Sequence, residues 1–115
     1  NADFVKYAAS PEHFGSIDDF ARAAAYLLGT GGAFFTVYRP DRLSRLLTAL
    51  SAAGLEPKRL RPVAADVLRA PSLVLVESGK GAAEGMVYEK NLVIYRDSAH
   101  TQYTDELERI YHVFS

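Results

Sequence analysis

Hydrophobic positions in the first third of the chain switch from helical to strand spacing. Apolar residues recur at helical spacing over 17–28, which predicts an amphipathic helix. Ser16 precedes this run and Asp19 follows three residues later, the pattern of a capping box. The glycines at 29, 31 and 32 predict that the helix ends there with a left-handed cap. Residues 33–38 are aromatic and β-branched, and they predict a strand.

The middle of the chain repeats this alternation. Asp41 is expected to cap a second helix, whose leucines at 43, 46, 47 and 50 form one stripe and which Gly54 ends. Residues 58–63 predict a short strand at a sheet edge, because it contains Pro62. The continuous apolar run 72–77 predicts a strand covered on both faces. The tight connection between these two strands requires them to be antiparallel.

The two ends of the chain carry weaker patterns. Residues 91–95 predict a short strand or extended arm, and Thr104 is expected to cap a C-terminal helix with an apolar face of Leu107, Ile110, Tyr111 and Phe114. Residues 1–15 are predicted to be a partly ordered lead-in, in which residues 1–2 are compatible with a tag remnant. No strand is expected before the first helix.

These elements predict an α/β fold with a mixed sheet of three or four strands. The chain has 115 residues, enough for one domain, and 49% of them are hydrophobic. It contains no cysteine, which excludes disulfide frameworks and cysteine-ligated metal sites. It also has neither an apolar run long enough to cross a membrane nor a secretory signal pattern. A cytoplasmic protein without a membrane partner is therefore expected.

Charge is distributed unevenly along the chain. Residues 39–69 contain seven basic and three acidic residues, a net charge of +4. The remainder carries six basic and eleven acidic residues, a net charge of −5. A basic middle segment could face nucleic acid or another polyanion. It could equally place solvated arginines on a helix face and at strand ends.

No catalytic centre can be identified from residue spacing. His13, His100 and His112 lie in different predicted elements and lack the spacing of a metal site. The glycines at 29–32 precede a strand, whereas a phosphate-binding loop follows a strand and opens a helix. Lys80, between two glycines, is a candidate anion contact, and a solvated turn explains the same pattern.

Several segments, taken in order, resemble bacterial small-domain methyltransferases, which include the tRNA(Val) adenine-N6 methyltransferase-like proteins. The similar segments are LLGTGG at 27–32, FTVYRPDRL at 35–43, GLEPKRLR at 54–61, APSLVLVE at 70–77 with the Lys-Gly pair at 80–81, LVIY at 92–95 and YTDEL at 103–107. The resemblance extends from about residue 16 to the end of the chain.

The resemblance implies a partial Rossmann-like methyltransferase sheet. This chain would supply its last three strands, in the order five, seven, six, with the seventh antiparallel. It implies residues 16–86 as the C-terminal half of the domain and 87–115 as an arm and helix. The motifs that bind S-adenosylmethionine and the Asn-Pro-Pro-Tyr motif would lie upstream. No catalytic or cofactor-binding residue is therefore assigned within this chain.

The function implied by the resemblance is that of an inactive C-terminal fragment of a methyltransferase acting on an exocyclic adenine amine in tRNA. The candidate RNA or phosphate contacts are Arg39, Lys58, Arg59, Arg61 and Lys80. The alternative is a free-standing nucleic-acid-binding or interaction module that uses the basic segment 39–69. Without the N-terminal half, the strand 33–38 is expected to expose a sheet edge and an apolar face, which predicts a homodimer through edge pairing, face burial or exchange of the C-terminal arm.

Overall fold

The structure is a computed structural model that describes the backbone of residues 2–8 and, beyond these, residues 15–114. The described residues form six strands and three α-helices, with a 3-10 turn between β2 and α2. In chain order they are β1 Ala2–Ala8, α1 Ile17–Leu27, β2 Leu28–Tyr38, the 3-10 turn Pro40–Arg42, α2 Leu43–Ala52, β3 Leu55–Ala64, β4 Leu73–Lys80, β5 Val87–Tyr88, β6 Leu92–Val93 and α3 Asp105–Phe114.

One mixed sheet joins all six strands. Its order is β1-β2-β4-β3-β5, with β6 also pairing to β3. The strand β4 runs antiparallel to both of its neighbours, so that Leu75 lies opposite Val37 on one side and Arg61 on the other. The order β2-β4-β3 is the five-seven-six order implied by the resemblance. The predicted mixed α/β fold is therefore confirmed, and β4 is its antiparallel strand.

A strand precedes the first helix, contrary to the sequence-based prediction. The backbone of β1 pairs in parallel with β2, from Phe4 opposite Ala33 to Ala8 opposite Val37. Its sequence contains residues that favour strands, but the segment is short and its partner lies about thirty residues away, so periodicity alone did not reveal it. The predicted exposed edge of strand 33–38 is wrong, because β1 covers that edge.

The hydrophobic core lies between the sheet and the two helices α1 and α2. Alternate residues of β2 and β4, among them Phe34 and Val76, are buried on this face. Leu46 and Leu50 of α2 are also fully buried. Burial of each such side chain contributes about 1.5–3 kcal/mol to folding. This layer fixes one face of the sheet, and the opposite face is called the second face below.

The first helix begins as predicted and ends differently. Ser16 Oγ accepts a hydrogen bond from the Asp19 amide at 3.2 Å, and the Asp19 carboxylate accepts from the Ser16 amide at 3.4 Å, which confirms the capping box. The chain leaves α1 at Leu28 in an extended conformation rather than a left-handed one. Leu28 is buried and already belongs to β2, so the following glycines lie within the strand, where Gly31 has a φ of +90°.

For the second helix, the predicted start is wrong and the predicted end is confirmed. The predicted cap at Asp41 is wrong, because this residue lies within the 3-10 turn and its carboxylate accepts two hydrogen bonds from Arg39. At the other end, Gly54 has a φ of +78° and donates to the carbonyl of Ser51 at 3.1 Å. The predicted glycine stop is therefore confirmed.

The chain after β4 returns to the outer side of β3. The short strands β5 and β6 pair in parallel with residues 59–60 and 63–64 of β3, which leaves Pro62 between the two pairings. The predicted cap of α3 is confirmed, since Thr104 Oγ1 accepts from the Leu107 amide at 3.3 Å. Of the predicted apolar face, Leu107 is buried, whereas Tyr111 is half exposed.

Candidate functional site

The carboxyl ends of three strands meet at one end of the sheet. β1 is parallel to β2, and β2 and β3 are parallel to each other because both run antiparallel to β4. The amides of Ile94 and Tyr95 bind the carbonyls of Ala64 and Ala65 at 3.0 and 2.8 Å, so the C-terminal arm is held at the same end. Residues 39–42, 65–72 and 94–104 are together called the carboxyl edge. Open α/β sheets bind ligands at this edge.

Asp66 is the buried charged group of the carboxyl edge. It follows the end of β3, and its Oδ2 lies 2.8 Å from Nε2 of His100 and 3.3 Å from Nε of Arg69. Its other oxygen accepts from the Leu68 amide at 2.9 Å. The hydrogen bond with His100 is the main reason that the pKa of the Asp66 carboxyl lies below its ordinary value. Asp66 is therefore a carboxylate anion that ties the β3–β4 loop to the arm.

The turn that carries His100 is held in a specific shape. His100 has a left-handed backbone with a φ of 58°, which is uncommon for a residue other than glycine. Asp97 closes the turn by accepting from the amides of Thr101 and Gln102, and hydrogen bonding with Thr101 is the main cause lowering the pKa of the Asp97 carboxyl. The His100 ring stacks on Tyr95 at a centroid distance of 4.6 Å. These contacts orient the imidazole toward Asp66.

A row of aromatic rings extends from His100 toward α3. Tyr95 stacks on Tyr103 at 5.4 Å, and Tyr103 meets Tyr111 edge to face at 5.3 Å. Electrostatic interaction with Tyr103 is the main cause that raises the pKa of Tyr111. Arg96 donates to the Tyr103 carbonyl at 2.9 Å and pairs with Asp105 of α3, so the row lies beside an ion pair between the arm and the helix. It fixes the arm against the helix.

Of the five predicted contact residues, Arg39 lies on the carboxyl edge. Its guanidinium binds both carboxylate oxygens of Asp41, at 3.0 and 2.7 Å, and both side chains are mostly exposed. Because the pair lies at the surface, the arginine can exchange this partner for another anion at little cost. The remaining four residues lie elsewhere.

Arg59 and Arg61 project from β3 on the second face. Arg59 contacts Glu89 at 3.0 Å, and Arg61 contacts Glu106 of α3 at 2.7 Å. Together with apolar neighbours they line a groove of about 330 Å³. Its lining is Phe35, Thr36, Val37, Arg59, Arg61, Leu75, Val76, Glu77, Glu89, Leu92 and Ile110. The groove has an apolar floor and a rim of paired charges.

Lys58 and Lys80 bind backbone oxygens within the chain. Lys58 Nζ donates to the carbonyl of Ala83 at 2.6 Å. Lys80 Nζ donates to the carbonyls of Ala25 and Leu28, each at 2.6 Å, at the end of α1. The five predicted residues are thus divided among the carboxyl edge, the second face and the opposite end of the sheet, and the structure does not bring them together.

The basic segment 39–69 is balanced by acids that lie largely outside it. Arg45 lies 3.6 Å from Asp18, and Arg59 lies 3.6 Å from Glu77 in addition to its contact with Glu89. These ion pairs lie at the surface, and the free-standing module that uses this segment stays a prediction.

The pairing of Asp66 with His100 leaves no signal in the sequence. The two residues are thirty-four positions apart, and both lie in loops, where no periodicity marks a contact. Within the part of the chain that the structure describes, no group of three potential metal ligands converges. No helix of that part is long and apolar enough to span a bilayer.

No protein-family model and no curated protein matches the sequence. The fold is similar to that of Atu636 of Agrobacterium tumefaciens, a predicted O-methyltransferase, with a TM-score of 0.78 and 17% identity over 96% of this chain and 50% of that protein. It is also similar to M1.HpyAVI, with a TM-score of 0.52 and 12% identity over 90% of this chain and 65% of that one. The chain thus has a methyltransferase-like fold, and it spans about half the length of Atu636.

Proposed function

We propose that this chain is the C-terminal part of an S-adenosylmethionine-dependent methyltransferase whose acceptor is an exocyclic adenine amine in tRNA. The observation that carries the proposal is the strand order β2-β4-β3 with β4 antiparallel, on a fold similar to Atu636 over 96% of the chain. The ordered motif resemblance supplies the acceptor class. A cytoplasmic enzyme fits such an acceptor.

We infer that the carboxylates of the carboxyl edge do not hold the cofactor. The carboxylates at the carboxyl edge are those of Asp41, Asp66 and Asp97, and each is bound by side chains or amides of this chain. The contacts of Asp66 and Asp97 hold the loop and the arm in place, which disfavours a role for these two carboxylates in binding the ribose hydroxyls of S-adenosylmethionine. We infer that the upstream half binds the cofactor and that the 115-residue chain alone is inactive.

Titration calorimetry and a methylation assay test these two statements. The natural protein that contains this chain should transfer a labelled methyl group from S-adenosylmethionine to a tRNA pool, and nucleoside mass spectrometry should identify N6-methyladenosine. The 115-residue chain should show neither cofactor binding nor transfer. Methylation of a small hydroxyl compound in place of tRNA would contradict the adenine acceptor. Cofactor binding by the 115-residue chain alone would contradict the statement that the upstream half binds the cofactor.

The second face provides a partner surface in this proposal. Phe35 and Leu73 are more than one-third exposed there, beside the apolar floor of the groove. We infer that the upstream half covers this face in the whole protein, and that the 115-residue chain forms a homodimer through it. Because β1 occupies the edge of β2, the proposal takes face burial rather than edge pairing of β2 as the route to this dimer.

Sedimentation equilibrium tests the dimer. The chain should have twice its monomer mass at about 0.1 mM, and Phe35→Lys should shift it to the monomer, since it replaces an exposed aromatic ring of the apolar surface with a solvated charge. Tyr26→Lys, at an exposed position on α1, is the matched control. A monomeric wild-type chain would contradict this part of the proposal.

A further inference from the structure

The β3–β4 loop, residues 65–72, presents two large aliphatic side chains to solvent. Val67 is 78% exposed and Leu68 is 82% exposed. Exposed aliphatic side chains are common when single, but adjacent ones at a ligand-binding edge of a sheet are typical of contact surfaces. The loop follows the carboxyl end of β3, so its tip lies at the edge where open α/β sheets bind ligands.

The exposure of this tip is not a consequence of a loose backbone. The Leu68 amide donates to the Asp66 carboxylate at 2.9 Å, and the Arg69 amide donates to the Asp66 carbonyl at 3.3 Å. His100 holds the same carboxylate from the arm at 2.8 Å. A contact surface on a fixed backbone loses little conformational entropy when a ligand binds.

The chemistry of the tip fits a flat apolar group beside an anion. Arg69 follows the aliphatic pair directly, and its side chain is 62% exposed, with a 3.3 Å contact to Asp66 on one side. Enzymes that modify a nucleobase take it out of the stack and hold it against apolar or aromatic side chains. Arginine pairs well with phosphate oxygens. An unstacked base and its own phosphate therefore match the two parts of the tip.

We propose that Val67 and Leu68 form the contact surface for an unstacked purine base of the RNA acceptor, with Arg69 beside the adjoining phosphate. This inference rests on the proposed function, whose acceptor is an adenine in tRNA. Asp66 and His100 are positioning residues in this arrangement, because they fix the loop and do not project from its tip.

Binding and cross-linking to tRNA test the contact. The natural protein is titrated into fluorescein-labelled tRNA transcript, and the double variant Val67→Ser/Leu68→Ser is compared with wild type. The variant should bind about tenfold more weakly, because the serines remove the apolar area against which the base packs. Val113→Ser is the matched control, since Val113 is 77% exposed on α3, and it should bind as wild type does. Transcripts that carry 8-azidoadenosine should cross-link to the peptide containing residues 65–70.

The outcomes separate this inference from the proposed function. Equal tRNA affinity of wild type and both variants, or cross-links that map away from the loop, would overturn the loop contact while methylation of adenine still stands. A natural protein that binds no tRNA would overturn both.

The KM for tRNA tests the positioning role of His100. His100→Gln keeps an amide donor that can reach Asp66, whereas His100→Ala removes it. The KM for tRNA should rise several-fold in His100→Ala and be largely restored in His100→Gln, with kcat changed less than twofold in both. Equal KM values for the two variants would overturn the positioning role.

Discussion

The ammonium group of Lys80 lies 2.6 Å from the carbonyl oxygen of Leu28, the residue at which α1 gives way to β2. The same ammonium also binds the carbonyl of Ala25. These carbonyls lie in the last turn of the helix, where cations are favourable and where no glycine cap is present. Lys80 thus joins the last residue of β4 to the end of α1 and stabilises a helix end that the sequence pattern assigned to glycines.

Replacement of Lys80 should weaken the fold. Lys80→Met keeps most of the aliphatic chain and removes both hydrogen bonds, so the free energy of unfolding should fall by about 1–3 kcal/mol. Urea denaturation followed by circular dichroism measures the change. Lys90→Met, at an exposed lysine, serves as the control and should change it by less than about 0.5 kcal/mol. Equal stability of the two variants would contradict this role of Lys80.

Removal of either of two buried hydroxyls in the sheet should affect the free energy of unfolding differently. Thr36 Oγ1 donates to the carbonyl of Val76 at 3.1 Å, whereas Ser78 Oγ is buried with no hydrogen-bond partner among the described residues. Thr36→Val should lower the free energy of unfolding by about 1 kcal/mol. Ser78→Ala should leave it unchanged or raise it by about 1 kcal/mol, because it removes a desolvated polar atom.

The same urea titration checks both substitutions. They alter neighbouring strands on the same face of the sheet, and each is nearly isosteric, so cavity formation contributes little to either. A loss of stability in Ser78→Ala comparable to that in Thr36→Val would show that the serine hydroxyl has a partner in solution.

Acid should weaken the hydrogen bond between Asp66 of the β3–β4 loop and His100 of the arm. The pKa of the Asp66 carboxyl is lowered in the folded chain, chiefly by its hydrogen bond with His100, from an ordinary value of 3.8. A lowered folded pKa gives a contribution to stability that is fully present above the unfolded value and is lost as pH falls through the folded one. Wild-type stability should therefore decline below about pH 4.

Comparison with Asp66→Asn isolates this contribution. The variant should be less stable than wild type at pH 7, and the difference should narrow between pH 4 and pH 2. Urea midpoints at three pH values measure it, and Asp41→Asn, which removes an exposed carboxylate, is the control. A difference that stays constant over this range would mean that Asp66 stabilises the loop by shape rather than by charge.

Patterns of neighbouring residues predicted the ends of helices, whereas contacts between segments distant along the chain could not be predicted from spacing. The caps at Ser16 and Thr104 were predictable, because the residues that make each hydrogen bond are three positions apart. The glycine stop at Gly54 is similarly local. The pairing of β1 with β2 and the contact of Asp66 with His100 join distant segments, and nothing in their spacing marks the partner. The strand order could be anticipated because the motif resemblance carries information about topology.

Arg39 offers the sharpest test of the predicted RNA contacts. It is the predicted contact residue at the carboxyl edge, and its exposed pair with Asp41 competes with any phosphate. Arg39→Ala should therefore weaken tRNA binding by the natural protein and reduce the slope of log affinity against log salt by about one. Asp41→Asn removes the competing carboxylate, so it should tighten binding, and the two substitutions should act in opposite directions.

Fluorescence anisotropy at several salt concentrations measures both effects. Arg45→Ala is the control, because Arg45 is equally exposed and pairs with Asp18 of α1 rather than with a residue of the carboxyl edge. It should leave the slope unchanged. If Arg39→Ala and Asp41→Asn both leave affinity and slope at their wild-type values, Arg39 does not contact the RNA. If Arg45→Ala lowers affinity as much as Arg39→Ala does, the protein attracts RNA through its overall field and not through the carboxyl edge.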